Sequence, residues 1–427
     1  MIPLRWKYIG YRAIERAHAF VGKAIREIPI VRRLFRISNA RIKNMRDWAI
    51  NAGAMAQYRR IYEETSIVPI EAGCPTCENP VRLPKPTRDG THYNYWDPRS
   101  GFDSRNGFYR KPKETFGEVF LATIPNGRVL GPSGAVLDEQ GALFLESIWT
   151  WDKWLTADRS QTAWYLPKPE IIDRPLYVVT SNQSEGYPHW LMEVLPRLYA
   201  LSTLTDNPVI VFPRELAVWQ TETLNLLGLG ERPRLALNDR HITSETVYFP
   251  SYVGVPGTPH PEGMAWLRTT IKDALGIERS PAKRRIYITR RLAQKRRVIN
   301  EEDLYGSLTD YGFEILEAEN LSFADQVRSF ASAESVVAAH GAGLANLLWV
   351  PEGCKVLEIL DRDYVNDHFY NLSSVLKLEY YYQLCTSENA SNGLSLNVGR
   401  DHVWVDPKKF ELSLNAMFSV RSPANER

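Results

Sequence analysis

His189, Glu193 and Arg197 combine an imidazole, a carboxylate and a guanidinium at a spacing of four residues. On a helix, positions i, i+4 and i+8 fall within one narrow stripe. Trp190, Leu191, Val194, Leu195 and Leu198 make most of the remaining circumference apolar. A helix that is apolar nearly all round is buried, and Pro188 suits its first position. Pro196 removes a backbone hydrogen bond and is expected to kink it. Polar side chains in such a stripe are costly to bury unless they are paired or used. They are read either as an internal salt-bridged network between domains or as a catalytic or acceptor-binding set.

A second constellation is cationic. Residues 285–289 read as a short strand that ends in Arg290-Arg291, and Lys295-Arg296-Arg297 follow closely. Downstream, His340-Gly341-Ala342-Gly343-Leu344-Ala345-Asn346 lies between two apolar runs, residues 335–339 and 355–360. Two glycines one residue apart after a strand let backbone N–H groups approach a ligand, and a turn into a short helix aims a positive helix end at an anion. Permanently charged forks beside such N–H groups suit a diphosphate. The plain alternatives are a solvated basic loop and a Gly-x-Gly turn that packs a helix onto a sheet.

The elements that must hold these groups alternate. Asn300 is a plausible N-cap with Asp303 in the capping-box place. Residues 312–316 read as a strand, and Ser322 opens a helix whose Phe323, Val327 and Phe330 recur at helical spacing. Strand, helix, strand, helix, strand, glycine turn, strand is the order of a parallel sheet covered by helices. Ligands bind at the carboxyl rim of such sheets. The first half repeats the rhythm, with strands expected at 176–180, 208–212, 234–237 and 246–249 and helices at 215–227 and 262–277. Residues 254–261 are too rich in Gly and Pro for either periodicity and read as a loop. Two α/β units joined near residue 280 would leave a cleft between them.

Tyr287-Ile288-Thr289-Arg290-Arg291, Arg297-Val298-Ile299-Asn300-Glu301, the His340 to Asn346 run and Glu358-Ile359 resemble, in this order, the motifs of glycosyltransferase family sixty-one. The run from His189 to Leu198 is similar to the family's other hallmark, whose acidic position is Asp or Glu. The resemblance spans roughly residues 175–385. Its bacterial members are described as capsular polysaccharide biosynthesis proteins, and its eukaryotic relatives include plant xylosyl- and arabinosyltransferases. It implies a GT-B-like α/β fold of two Rossmann-like domains facing a cleft, an inverting mechanism, and neither a catalytic metal nor a cofactor. The expected parts are a basic amphipathic helical arm (1–75), an acceptor-side α/β domain (76–278), a donor-binding domain (279–400) and a closing segment (401–427).

The same resemblance implies residue roles. Glu193 is expected as the general base with His189 as second choice, and Arg197 as an acceptor-side or structural residue. Arg290, Arg291 and Arg297, with His340, Gly341, Ala342, Gly343 and Asn346, would hold the diphosphate of a nucleotide-sugar donor. Glu358 would accept hydrogen bonds from ribose hydroxyls, while Asn300 and Glu301 position the arginines. The acceptor is a glycan or lipid-linked saccharide of surface polysaccharide synthesis. A pyruvyl or other group transferase acting on polysaccharide, and a non-catalytic glycan-binding relative, stay as alternatives.

Composition agrees with a globular protein, at 44% hydrophobic and 24% charged residues. The net charge of +2 is uneven: residues 1–64 carry 14 Lys/Arg against 5 Asp/Glu, the remainder 38 against 45. Trp6, Ile9, Ala13, Ala17, Phe20, Ala24 and Ile28 recur on one side of that basic stretch. It reads as an amphipathic helix for an anionic membrane surface, or as an arm packed on the body or on a second subunit. No run reaches a membrane span of about 18 apolar residues and no signal peptide is evident, so a cytoplasmic protein, peripheral on the inner membrane face, is expected. A nucleic-acid partner is not, since no binding motif accompanies the basic excess. Cys74 and Cys77 lack the second pair or histidines that zinc needs, and Cys354 and Cys385 read as reduced core residues. Asp361-Arg362-Asp363 reads as a surface turn. Tyr93, Tyr95 and Trp96, like Trp149, Trp151, Trp154 and Trp164, suit either sugar stacking or a core. A strand at 402–405 and a final helix close the chain.

Overall fold

Short β-branched runs separated by amphipathic stretches become sheet strands in a computed structural model of the chain. The structure describes residues 42–43, 45, 58–68, 70, 72–73, 114–148, 166–181, 183–255, 257–278, 282–362, 364–387 and 401–419. Contacts divide the chain into two units. The first comprises residues 1–63, 118–185 and 193–253, and the second 64–117, 186–192 and 254–427.

In the first unit, strands β1 (Val119–Pro125), β2 (Leu176–Val178), β3 (Val209–Phe212), β4 (Arg234–Ala236) and β5 (Thr246–Pro250) form a sheet in the order β4-β3-β2-β5-β1, with Tyr58–Tyr62 at the edge. The first four in that order are parallel, whereas β1 runs antiparallel to β5. Ala122, Ile124, Leu176, Val178, Val209, Val211, Val247 and Phe249 bury one face. They meet Val129, Val136, Phe144 and Ile242 from a second six-stranded sheet, built of pieces such as Arg128–Leu130, Ala135–Leu137 and His241–Thr243. The expectation of a Rossmann-like first domain is corrected here, because a sheet occupies the layer that helices would fill. Strands of two or three residues carry no readable period, so the sequence did not disclose this sheet.

The second unit holds β6 (Arg284–Ile288), β7 (Phe313–Leu316), β8 (Ala333–Ala339), β9 (Lys355–Asp361) and β10 (Glu379–Ser387), all parallel, in the order β7-β6-β8-β9-β10. Val403–Trp404 adds an antiparallel edge and Ala72–Gly73 a short parallel piece. One face packs Tyr287, Val337, Ala339, Leu357 and Ile359 against Phe410, Leu414 and Met417 of the closing helix Pro407–Phe418. The Val, Leu, Ile, Phe and Met side chains among these, fully buried, each contribute about 1.5–3 kcal/mol before entropy is charged against them. The helix Phe323–Ala331 starts as expected, with Ser322 Oγ accepting the Asp325 amide and Phe323, Val327 and Phe330 buried. Cys354 and Cys385 are free and buried, and burial pushes the Cys385 thiol up to about 12.

Several expectations change. The helix Pro261–Ala274 groups with the second unit, whose boundary falls at residues 253/254 rather than near 280. Residues 254–261 are not a plain loop: Gly254–Val255 pairs with Thr258–Pro259, and Gly257, at φ +77°, turns between them. Where residues 42–73 are described as strands, at Ile42–Lys43, Tyr58–Tyr62, Thr65–Ile67 and Ala72–Gly73, the helical arm does not extend. Residues 1–41 and the aromatic and cysteine positions between 74 and 113 lie outside the described residues, as do Trp149, Trp151, Trp154, Trp164 and Asp363. Asp361 is the buried last residue of β9 and also opens the expected turn: its carbonyl accepts the Tyr364 amide (2.9 Å), and Arg362 between them is exposed. No helix among the described residues is long and apolar enough to cross a membrane.

Candidate functional site

The chain leaves β6 for β7 on one side of it and later returns as β8 on the other, so the order reverses between β6 and β8. Side chains after these two strands share the crevice in which open α/β sheets bind ligands. Ile288 pairs with Ala338, so Arg290 and the His340-Gly341 pair emerge side by side. Arg290 Nε and Nη2 donate to the carbonyls of Arg296 (3.2 Å) and Lys295 (3.0 Å), which fixes its fork. A β-carbon on Gly341 would overlap that fork, so the glycine leaves room for it. Burial first, then neighbouring Arg296, lowers the Arg290 guanidinium to about 10, which leaves it charged at neutral pH. Gly341 is extended (φ 170°) and opens a 3-10 helix, Ala342–Trp349, whose first amides have no intrahelical acceptor. Gly343 packs on Ile288, with only 3.2 Å between an added β-carbon and Cγ2.

Arg296 is the functional candidate that sequence reasoning missed. Its backbone is left-handed (φ +54°), its Nε donates to the His340 carbonyl at 3.1 Å, and its guanidinium lies over the Tyr364 ring. A left-handed arginine costs roughly 1–2 kcal/mol, and that His340 contact holds it. The only signal in the sequence was its place in the Lys295-Arg297 run. Two expected arginines lie elsewhere. Exposed Arg291 pairs with Glu317, and exposed Arg297 contacts His402 through Nη2 (3.3 Å).

Behind the turn stands a buried acid. Glu358, in the middle of β9, has no exposure. Its oxygens accept His340 Nδ1 and Tyr380 Oη, each at 2.5 Å. The expectation that Glu358 meets ribose is therefore corrected: both carboxylate oxygens are spent inside, and the residue orients His340. Burial and the adjacent carboxylate push the Tyr380 phenol well up, so it stays a donor. Glu301 is likewise buried and, among the described residues, forms no ion pair with an arginine. It accepts Tyr287 Oη (2.8 Å) and Thr289 Oγ1 (2.7 Å), and Thr289 Oγ1 in turn accepts the Arg291 amide. Asn300 does not cap its helix, because its amide serves both main-chain groups of Val405 (2.8 and 2.9 Å). Asn346, expected at the donor, is fully buried and bonded to Tyr187 and Gln326.

The expected His–Glu–Arg stripe is not one helix. An α-turn at Tyr187–His189 passes into a π-helical stretch, Trp190–Val194, and then a 3-10 helix, Leu195–Thr203, with Pro196 in its first turn. The division between units falls inside it, at 192/193. His189 belongs to the second unit, where it and His340 act on His368. Burial, then these two imidazoles, drive His368 down to about 3, so it is neutral at physiological pH.

Glu193 and Arg197 belong to the first unit. Arg197, 1% exposed, donates Nη2 to Val178 O (3.0 Å), Nη1 to Thr180 O (3.1 Å) and both Nε and Nη2 to Pro250 O. It also lies over the Phe249 and Tyr252 rings. Burial lowers its pKa, while Tyr252, Tyr177 and Glu193 hold it up. Glu193, itself 5% exposed, is a counter-charge for this buried cation. Glu193, expected as the general base, is thus buried in the first unit near a cation.

Residues 187–357 match the family model described as Glycosyltransferase 61. A beta-1,2-xylosyltransferase of Oryza sativa subsp. japonica is 33% identical over 151 residues, covering 33% of this chain and 25% of that protein. A beta-1,2-xylosyltransferase of Arabidopsis thaliana is 29% identical over 98 residues, 20% of this chain and 18% of its own length. The matched stretches thus span about a quarter or less of these curated relatives. Among solved structures, the bacterial iron-containing dodecameric glycosyltransferase TibC from enterotoxigenic E. coli H10407 aligns over 57% of this chain and 75% of its own, at 11% identity. Its TM-score of 0.24 is too low to carry an argument.

Proposed function

We propose, from the match of residues 187–357 to the Glycosyltransferase 61 family model, that the protein is an inverting glycosyltransferase that moves a sugar from a nucleotide-sugar donor to a glycan or lipid-linked saccharide. The observation that carries this reading is the pairing of Arg290 with Gly341 at the point where the strand order of a parallel sheet reverses. A pentose is the favoured sugar, since both curated relatives are named as xylosyltransferases. The second unit, with its parallel sheet, is taken as the donor-binding domain and the first unit, with its two packed sheets, as the acceptor-side domain. Surface polysaccharide assembly, with residues 1–64 on an anionic membrane, is the setting proposed.

The donor diphosphate lies on the amides of Ala342 and Gly343 between Arg290 and Arg296. Two guanidinia there neutralise the charge that grows on the leaving diphosphate, so the reading requires no metal. An acceptor hydroxyl attacks the anomeric carbon from the face opposite the leaving group. The new C–O bond forms as the anomeric carbon–phosphate oxygen bond breaks, and His189 takes the hydroxyl proton. His189 is taken as the base in preference to Glu193 because it shares the unit of the glycine turn, whereas Glu193 is buried in the other unit near the Arg197 cation.

A thermal-shift panel of nucleoside diphosphates, with and without chelator, tests this reading through the mass-action stabilisation of the folded state. A shift with one diphosphate, indifferent to chelator, is expected. A shift with phosphoenolpyruvate alone would replace the reading with a pyruvyl transferase.

A further inference from the structure

His189 sits at the end of a three-residue α-turn, too short to fix its own direction, and is followed by a π-helical stretch. Two residues earlier, the Tyr187 hydroxyl donates to Asn346 Oδ1 at 2.8 Å. Asn346 Nδ2 donates to Gln326 Oε1, also at 2.8 Å, so a fully buried amide has both ends engaged. The Tyr187 ring stands edge-on to Phe323 at 6.5 Å, and Phe323 stands edge-on to Trp349 at 5.7 Å. All these residues belong to the second unit.

What Tyr187 grips is informative. Asn346 lies three residues beyond Gly343, one turn along the 3-10 helix whose amino end forms the glycine turn. The part-buried Tyr187–Asn346 hydrogen bond thus ties the turn that carries His189 to the helix that presents the amides of Ala342 and Gly343. We propose that Tyr187 and Asn346 are positioning residues that hold the base His189 at working distance from the donor turn. This rests on the function proposed above. It assigns to Asn346 a task other than donor contact, and to Tyr187 a task where none was expected.

Displacing a reacting group by about 1 Å costs on the order of 100-fold in rate, so loss of this bond should be visible in turnover. Tyr187→Phe keeps the ring and its packing and removes only the hydroxyl. In the full-length protein it should lower kcat by roughly tenfold or more with donor KM within about twofold, and the melting temperature should barely move. A bond that merely held the fold would lower the melting temperature and leave kcat intact, which would overturn the proposal. Asn346→Asp, which keeps the acceptor for Tyr187 but loses the Gln326 donor, should lower kcat less than Tyr187→Phe does. The opposite ranking would also overturn it.

A readout without turnover separates this inference from the function on which it rests. In protein labelled with carbon-13 histidine, the His189 ring signal, assigned by its loss in His189→Gln, should shift in Tyr187→Phe. An unmoved signal defeats the pin even if the enzyme transfers sugar. A wild-type protein that binds no nucleotide diphosphate defeats the function, whatever the signal does.

Discussion

The Arg290 guanidinium occupies the space that a side chain at Gly341 would need. The backbone there is extended and open to any residue, so what demands glycine is volume rather than conformation. Gly341→Ala should push the guanidinium off the carbonyls of Lys295 and Arg296 and weaken nucleotide diphosphate binding by at least about tenfold, the loss of one charge-assisted contact. Gly343→Ala asks Ile288 to give only a few tenths of an ångström and should cost less. Calorimetric titration of both variants gives the order, and equal losses would remove Arg290 from the explanation.

Arg296 and Arg297 are neighbours with different surroundings. Arg296 grips the His340 carbonyl, whereas Arg297 is exposed and spends itself on His402. Arg296→Ala should weaken diphosphate binding by roughly tenfold, in the range of a hydrogen bond to a charged group, and Arg297→Ala should leave it within about twofold. The same titration decides, and the reverse order would move the anion site along the loop.

The parallel sheet of the second unit was legible because its strands are four residues or longer and bounded by capped helices, as at Ser322. The rim followed from Gly341 and Arg290 for the same reason: strand ends are readable, and the glycines and arginines there are distinctive. Which arginine faces the turn was not legible. Arg291, Arg296 and Arg297 are alike in a sequence, and only the left-handed backbone at Arg296 turns it inward. Glu358 and Asn346 were read as ligand contacts from their motifs, but Tyr380 on the neighbouring strand and Tyr187 in the α-turn before the π-helical stretch hold them inside. The His–Glu–Arg stripe failed because the period itself changes, from α to π to 3-10, along the segment.

The break in that stripe gives His189 and Glu193 separable phenotypes. His189→Ala should reduce kcat by 100-fold or more, in the range of general-base loss, with nucleotide affinity and melting temperature preserved. Glu193→Gln removes a buried negative charge that helps hold up the Arg197 cation, which is itself buried among carbonyls and rings. Its signature should be a lower denaturation midpoint, with kcat per folded molecule nearly unchanged. Urea melts and activity normalised to folded protein separate the two, and a stable but inactive Glu193→Gln would restore Glu193 as base.

His368 makes the second unit sensitive to acid. Its imidazole is ordinary when unfolded, near 6.5, and is held at about 3 in the fold by burial and by His340 and His189. Between those values the unfolded chain binds a proton that the folded chain refuses. Stability is thus complete above about pH 6.5 and falls as pH drops toward about 3. The slope from this group is at most about 1.4 kcal/mol per pH unit. The ring also fits against Gly257, which has no β-carbon to collide with it, so His368→Gln, of similar length and without a titrating group, is the variant to use. Denaturation midpoints at pH 7 and pH 4.5 should differ less in His368→Gln than in the wild type. An identical loss in both would assign the acid sensitivity to other groups and leave His368 with only a packing role.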